Sequence, residues 1–352
     1  MESRREVLYD VKVGQTTHPG LWLDKYLEKQ VEGGGDNAKK PHFQDAAQYP
    51  VPAAYTTFFE RWQKALDAAG ARSHVAKAQG RLVIGLGGES VLETAITLHH
   101  TYGVPYIPGS ALKGLAARYV RTRLDEKWRE GSEAYKILFG ETTEAGYITF
   151  FDALYIPGSS KGDRPLALDV ITVHHPDYYQ GKDSAPADWD SPIPVPFLSA
   201  IGSYLIALHG AGNWVEAAFE ILSLALKEEG IGAKTSSGYG RMLLDNVTLS
   251  TETTLPIPKE PYAVAKRRLL SEKPPTGRSR GTLGRLPKPS YGFINPVRGG
   301  SQMFVHESQV RSGKPLRKGQ IVEYQIGQHD GRTQAQDVEI LLEPDLLHQG
   351  GK

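Results

Sequence analysis

The chain has 352 residues, no cysteine and a formal net charge of +1. Without a thiol it can form no disulfide and offer no thiolate ligand or nucleophile. No run of eighteen apolar residues is present to span a membrane, and MESRREVLYD lacks the apolar stretch of a signal peptide, so a cytoplasmic location is expected. The near-neutral total conceals an asymmetry. Residues 256–352 carry 16 Lys and Arg against 9 Asp and Glu, whereas residues 1–255 carry 25 against 31. A basic segment of this kind commonly meets nucleic acid.

Taken in order, residues 20–30 predict a short helix with Leu23, Tyr26 and Leu27 on one side. Residues 32–50 read as a loop, and residues 56–69 as a second helix ended by Gly70. Strands are expected at 81–87 (RLVIGLG) and 94–100 (TAITLHH). Pro105 and Pro108 then hold the chain extended. Ser110 stands where an N-cap belongs, before a run of good helix formers reaching about residue 124. Leu112, Leu115, Ala116 and Tyr119 form its apolar stripe, with Lys113, Arg118 and Arg121 off it. Such a helix start, with free N–H groups and a partial positive charge, suits a bound anion.

Residues 133–139 read as one or two helical turns closing on Gly140. Strands are expected at 146–156 and 166–175, a Pro-rich loop at 185–197, a strand at 203–210, a helix at 213–230 and a strand at 242–249. With insertions, this is the βαββαβ order of a ferredoxin-like unit, shared by many RNA-binding modules. Residues 253–280 read as a basic flexible linker. Beyond it, GTLGRL, YGFINPV, MFVHES, QIVEYQIG and QAQDVEILL are short strands at close spacing, which suggests a small five-stranded barrel. The expectation is therefore an α+β chain, with a ferredoxin-like (RRM-like) domain at 1–252, including an N-terminal helical extension, and an OB-like barrel at 281–344.

Between the last helix and strand of the first domain lies GIGAKTSSGYGR, with Lys234, Thr235, Ser236 and Ser237 among four glycines. Glycine lets a backbone approach a ligand closely, and hydroxyls with successive N–H groups can hold phosphate oxygens. The loop is not a Walker A motif, because Ala233 precedes Lys234. It is not a dinucleotide fingerprint either, because it leads into a strand.

GVPYIPGSALKG (103–114), this glycine-rich loop and the βαββαβ order resemble the RAMP superfamily of CRISPR effector complexes. Within it they resemble the sixth-subunit family of the type III-B Cmr complex. HPGLWLDKYL (18–27), FFDA (150–153), LALDVITVHHPDYY (166–179) and PADWDSPIPVPFL (186–198) extend the likeness over residues 18–242. The resemblance implies a non-catalytic subunit near the 3′ end of a guide RNA. Its partners would be guide and target RNA, neighbouring RAMP subunits and a small helical subunit. It also implies that Ser110, Lys113 and Arg118, together with Lys234, Thr235, Ser236, Ser237, Tyr239 and Arg241, face the guide backbone. The stretch 290–310 resembles a cold-shock domain, which implies a stacking platform of Tyr291, Phe293, Phe304 and His306 for single-stranded nucleic acid.

His99-His100 and His174-His175, with Asp152, Asp169 and Asp177, invite a metal or acid–base reading. Adjacent strand residues point to opposite faces, so each pair places at most one imidazole inward. No HExxH motif is present, and no metal or cofactor is expected. The alternatives are an RNA endonuclease using His99 or His100 as base and a stand-alone single-strand RNA chaperone.

Overall fold

A computed structural model describes residues 14, 17–27, 39–173, 181, 193–247, 255–329 and 331–344. They form two compact units, Met1–Pro258 and Lys259–Lys352.

In the first unit, helices α1 (Pro19–Lys25), α2 (Lys39–Ala46) and α3 (Ala53–Ala68) precede strand β1 (Arg72–Ala78). Strand β2 (Tyr106–Ile107) leads into α4 (Gly109–Arg123), and α5 (Glu133–Phe139) runs into the hairpin β3 (Gly140–Glu141) and β4 (Glu144–Ala145). Then come β5 (Thr149–Phe150), β6 (Ala153–Tyr155), β7 (Leu166–Val173), β8 (Ile193–Ala200), β9 (Ser203–His209), α6 (Gly212–Glu228) and β10 (Met242–Leu244). The main sheet has the order β10-β1-β9-β6-β2, with β5 also on β9. Taking β1, β6, β9 and β10 as first to fourth, the order is 4-1-3-2 with every pairing antiparallel. This is the expected ferredoxin-like arrangement. Helices α4 and α6 pack together, and Tyr119 of α4 donates its hydroxyl to Glu228 Oε2 at 3.0 Å.

Several expectations are corrected. The first strand is Arg72–Ala78, not 81–87. Of its residues only Ala76 is fully buried, so its polar sequence carries little strand signal. Leu82 and Val83 are buried yet make only isolated bridges, to Ala200 and Gly232. Their apolar run reflects packing, not sheet membership. Residues 94–100 likewise contribute one bridge, Leu98 to Pro105.

The stretch 146–156 is broken into β5 and β6, and Asp152 in the break caps α4. The loop expected at 32–50 contains α2, with Pro41 in its first turn, where no N–H is required. Phe43 and Ala46 bury there beside Trp22, Leu23, Leu166 and Leu198. The Pro-rich loop of 185–197 gives way to β8 from Ile193, which pairs with β7. Pro194 and Pro196 alternate, so both missing N–H groups lie on the side away from β7.

In the second unit, α7 (Tyr262–Ser271) precedes β11 (Ser279–Leu283), β12 (Tyr291–Pro296), β13 (Met303–His306), β14 (Ile321–His329) and β15 (Arg332–Leu342). The five strands close into a barrel in the order β11-β12-β13-β15-β14, around Leu283, Ile294, Val305, Val322, Tyr324, Ala335 and Val338. The barrel is as expected. The stretch expected as a flexible linker, 253–280, instead carries α7 in its middle. Tyr262 donates its hydroxyl to the Gly319 carbonyl, and Arg280 donates to the Leu269 carbonyl. The basic run there misled because Arg268 is paired with both Glu260 and Glu272.

Beneath α7, Arg278 and Arg280 share the buried carboxylate of Glu323, at 2.8 and 2.9 Å. Arg278 also reaches Asp337 at 2.8 Å.

Candidate nucleic-acid interface

The start of α4 is not an open anion site. Pro108 is its N-cap residue, and Ser110 lies within the first turn. Gly109 donates its N–H to Asp152 Oδ1 at 2.7 Å. A Cβ at Gly109 would strike the Phe150 carbonyl, so only glycine lets the helix end come this close to β5. The carboxylate already answers the positive helix end and would repel a second anion. Ser110 is exposed and Lys113 partly buried at this closed end.

Further along, α4 and the glycine-rich loop converge. A cleft of about 540 Å³ is lined by Gly114 and Arg118 of α4, by Thr235, Ser236 and Arg241 of the loop region, and by Glu228 and Glu229. The loop reaches this position through backbone that only glycine adopts. Gly240 has φ +78°, and a Cβ there would strike the Ile231 carbonyl. Arg118 and Arg123 flank Glu229 at 3.5 and 3.6 Å. Arg241 donates to the Lys227 carbonyl at 3.3 Å, near the end of α6.

Glu229 thus draws two guanidinium groups to the cleft wall by charge, with no hydrogen bond to its Oε2 among the described residues. Arg118 remains 70 % exposed, with N–H groups free to face a ligand. Beside them stand the hydroxyl-bearing Thr235 and Ser236. Arg118, Arg123 and Arg241 outnumber the carboxylates of Glu228 and Glu229 here, and guanidinium groups with hydroxyls around an open helix face suit a phosphodiester backbone.

The cleft therefore gathers Arg118, Thr235, Ser236 and Arg241 from the predicted set. Ser110, Lys113, Lys234, Ser237 and Tyr239 do not line it. Tyr239 donates its hydroxyl to Asp169 Oδ2 at 2.7 Å, and Arg81 pairs with the same carboxylate at 3.1 Å. Burial first, then that hydrogen bond, raise the Tyr239 phenol above its ordinary value. Tyr239 thus ties the loop to β7. Lys234 takes φ +59° at the entry to a short 3-10 turn.

Two cleft residues escaped sequence reasoning. Arg123 lacked any motif to mark it. Gly114 did carry a signal, as a glycine inside a helix that Ala would favour. Nothing lies within 4 Å of a Cβ placed there, so the position leaves room for a ligand to meet the helix backbone.

His99 lies among the rings of Phe58, Tyr102 and Tyr106, and its Nδ1 accepts from the Thr101 N–H at 3.2 Å. Burial lowers its pKa below the ordinary histidine value, opposed by Asp152 and aided by His100 and His18. It shares a cavity of about 310 Å³ with His18 and His100. Among the described residues no group of three or more His, Asp or Glu is placed to hold a metal ion. His174, His175 and Asp177 lie outside the described residues.

On the barrel, Tyr291 pairs across strands with His306, and Phe293 with Phe304. Strand alternation puts all four on one face, opposite Gly292, Ile294 and Val305, which are buried. Phe304 lies 5.6 Å from Tyr291 and 5.9 Å from Phe293. His306 is steadied by Ser308, whose N–H donates to its Nδ1 at 3.3 Å. The four rings predicted as a platform thus form one partly exposed surface.

Residues 75–243 match the RAMP superfamily. The CRISPR system Cmr subunit Cmr6 of Pyrococcus furiosus is 32% identical over 247 residues, spanning 54% of this chain and 72% of that protein. The chain belongs to the Cmr6 family. A second Cmr6, from Saccharolobus solfataricus, is 24% identical over 178 residues, or 47% of this chain and 55% of its own length. Residues 281–341 match the 'Cold-shock' DNA-binding domain family. Among solved structures, the type III-B Cmr-beta bound to cognate target RNA aligns over 60% of this chain and 73% of its own, at 22% identity and TM-score 0.47. The crystal structure of Cmr6 from Pyrococcus furiosus aligns over 49% and 97%, at 33% identity and TM-score 0.33. No described helix is long and apolar enough to cross a membrane.

Proposed function

We propose that this chain is a non-catalytic, RNA-binding backbone subunit of a type III-B CRISPR ribonucleoprotein, acting in antiviral defence inside the cell. Its α4–loop cleft holds the guide RNA backbone near the 3′ end. Its barrel holds a single-stranded segment by stacking on Tyr291, Phe293, Phe304 and His306. Its partners are guide and target RNA, other Cmr RAMP subunits and the small helical subunit.

The observation that carries the reading is the convergence of Arg118 with Thr235, Ser236 and Arg241 in one cleft. Two stretches far apart in sequence, one bringing arginines and the other hydroxyls, meet there. Family membership supports the same reading. The chemistry suits binding and charge neutralisation, and no step of bond cleavage is required of these residues.

Purification of the tagged chain from its host under mild conditions tests this. Guide RNA and other RAMP subunits are expected to come with it, and Arg118→Ala is expected to lower the RNA recovered per complex. A chain that purifies alone and without RNA contradicts the proposal. The endonuclease reading uses His99 or His100 as base, and burial lowers the His99 pKa below the ordinary histidine value. It predicts metal-free cleavage of labelled repeat RNA that His99→Ala abolishes, and the subunit reading predicts no cleavage.

A further inference from the structure

A cavity of the barrel unit, about 600 Å³, opens where the C-terminal end of α7 meets the turn between β12 and β13 and the strand β14. Leu270, Val297, Met303 and Ile326 give it apolar walls. Val297 and Ile326 remain 43% and 57% exposed there, so they offer apolar surface to a ligand in the cavity. Lys273 and Arg298 stand at the same cavity, and neither has an ion-pair partner among the described residues. Arg280 also lines it. That side chain is 8% exposed, and its Nε is buried with no hydrogen-bond partner. An unanswered buried donor, two free cations and an apolar wall in one cavity fit a planar polar ring joined to an anion.

The position relative to the platform narrows the source. Along the β12–β13 hairpin the outward pairs are Tyr291 with His306, then Phe293 with Phe304. Next comes an amide pair, in which Gln302 donates to Asn295 Oδ1 at 2.9 Å. The turn carrying Val297 and Arg298 follows. Successive outward pairs are spaced by about 7 Å, so Val297 and Arg298, the turn residues at the cavity, lie within reach of a strand that continues past the platform, whereas Met303 belongs to the inward side with Val305.

We propose that this cavity takes one nucleoside monophosphate unit of the strand that crosses the platform, its base among Leu270, Val297, Met303 and Ile326 and its phosphate at Lys273 and Arg298. The Arg280 N–H then meets a carbonyl or ring nitrogen of the base. The proposal rests on the reading of the barrel as a single-strand binder.

Photo-crosslinking of the full chain separates the two claims. The probe is oligouridylate of eight residues carrying one 4-thiouridine at varied positions, with crosslinked peptides mapped by mass spectrometry. Two sites are expected, one at Tyr291–Phe304 and one at Val297, Arg298 or Ile326. Lys273→Ala with Arg298→Ala is expected to reduce the second crosslink at least fivefold and to leave the first unchanged.

Crosslinks at the platform alone, in wild type and variant alike, overturn the cavity proposal and leave the barrel reading intact. No crosslink at either place overturns the barrel reading itself. A third arm uses 8-azidoadenosine monophosphate. Labelling of the cavity that oligouridylate fails to displace would assign it to a free nucleotide and overturn the strand version.

Discussion

The cleft beside α4 and the outer face of β12 and β13 are suited to the same polymer by different physics. The cleft presents guanidinium groups, hydroxyls and a bare helix backbone at Gly114. It can grip a sugar–phosphate chain whatever its sequence, and its hold should fall steeply with salt. The barrel face presents rings, which engage bases and depend little on ionic strength. On the proposed function a single chain combines a backbone grip in one unit with a base grip in the other, and disabling either should leave its counterpart intact.

The largest expected effect separates the units by stability. Glu323 answers both Arg278 and Arg280, which are 10% and 8% exposed. Glu323→Ala leaves two buried guanidinium groups short of a partner and should cost about 3–5 kcal/mol. Calorimetry should show the barrel transition lowered and that of the first unit unmoved. A shift of both transitions would mean that the units do not unfold independently.

Next comes stacking. Phe304 touches both Tyr291 and Phe293, so Phe304→Ala should remove about 1–3 kcal/mol of single-strand affinity. Equilibrium binding of an oligouridylate, measured by anisotropy, reads this directly. Affinity equal to that of wild type would remove the barrel from the account.

A smaller and two-signed effect is expected at Gly114. Gly114→Ala should stabilise α4 by about 0.5–1 kcal/mol, because nothing opposes the added methyl. The same methyl should weaken guide RNA binding, because it stands where the backbone grip needs close approach. Thermal unfolding and filter binding on one preparation give both signs. Improved stability with unchanged binding would show that the ligand does not approach Gly114.

The smallest effect concerns acid. Hydrogen bonds from Arg311 and Arg278 hold the Asp337 carboxyl down to about 2. A depressed carboxylate stabilises the fold above its unfolded value of about 3.9. That contribution is lost as pH falls from about 4 towards 2. Asp337→Asn should flatten the pH dependence of barrel unfolding in this window. Asp337 has φ +52°, which asparagine tolerates, so the exchange is not a backbone test.

Much of this was readable from residues alone, for physical reasons that differ by element. The barrel strands were legible because short runs rich in β-branched and aromatic residues are punctuated by Gly and Pro at close spacing. Helix α6 was legible because Ala217, Ala218, Ile221, Leu222 and Ala225 all bury at helical spacing. Strand β1 was illegible because its place in the sheet comes from hydrogen bonds to β9 and β10, which polar side chains do not report.

The helix start of α4 misled for a related reason. Ser110 looked like a cap, but the side chain that caps the helix is Asp152, 43 residues beyond Gly109 along the chain. Arg118, Thr235 and Ser236 were found through local chemistry, and Arg241 through the family resemblance. Their meeting in one cleft depends on α4 packing beside α6, which no local pattern states.

The most direct test is the salt dependence of guide RNA binding. Affinity is measured from low to moderate salt for wild type, Arg118→Ala and Phe304→Ala. Arg118→Ala should reduce the slope of log K against log salt by about 0.7, the value for one phosphate contact on a single strand. Phe304→Ala should lower affinity and leave the slope as in wild type. An unchanged slope for Arg118→Ala, or a slope change confined to Phe304→Ala, would contradict the assignment of the backbone grip to the α4 cleft.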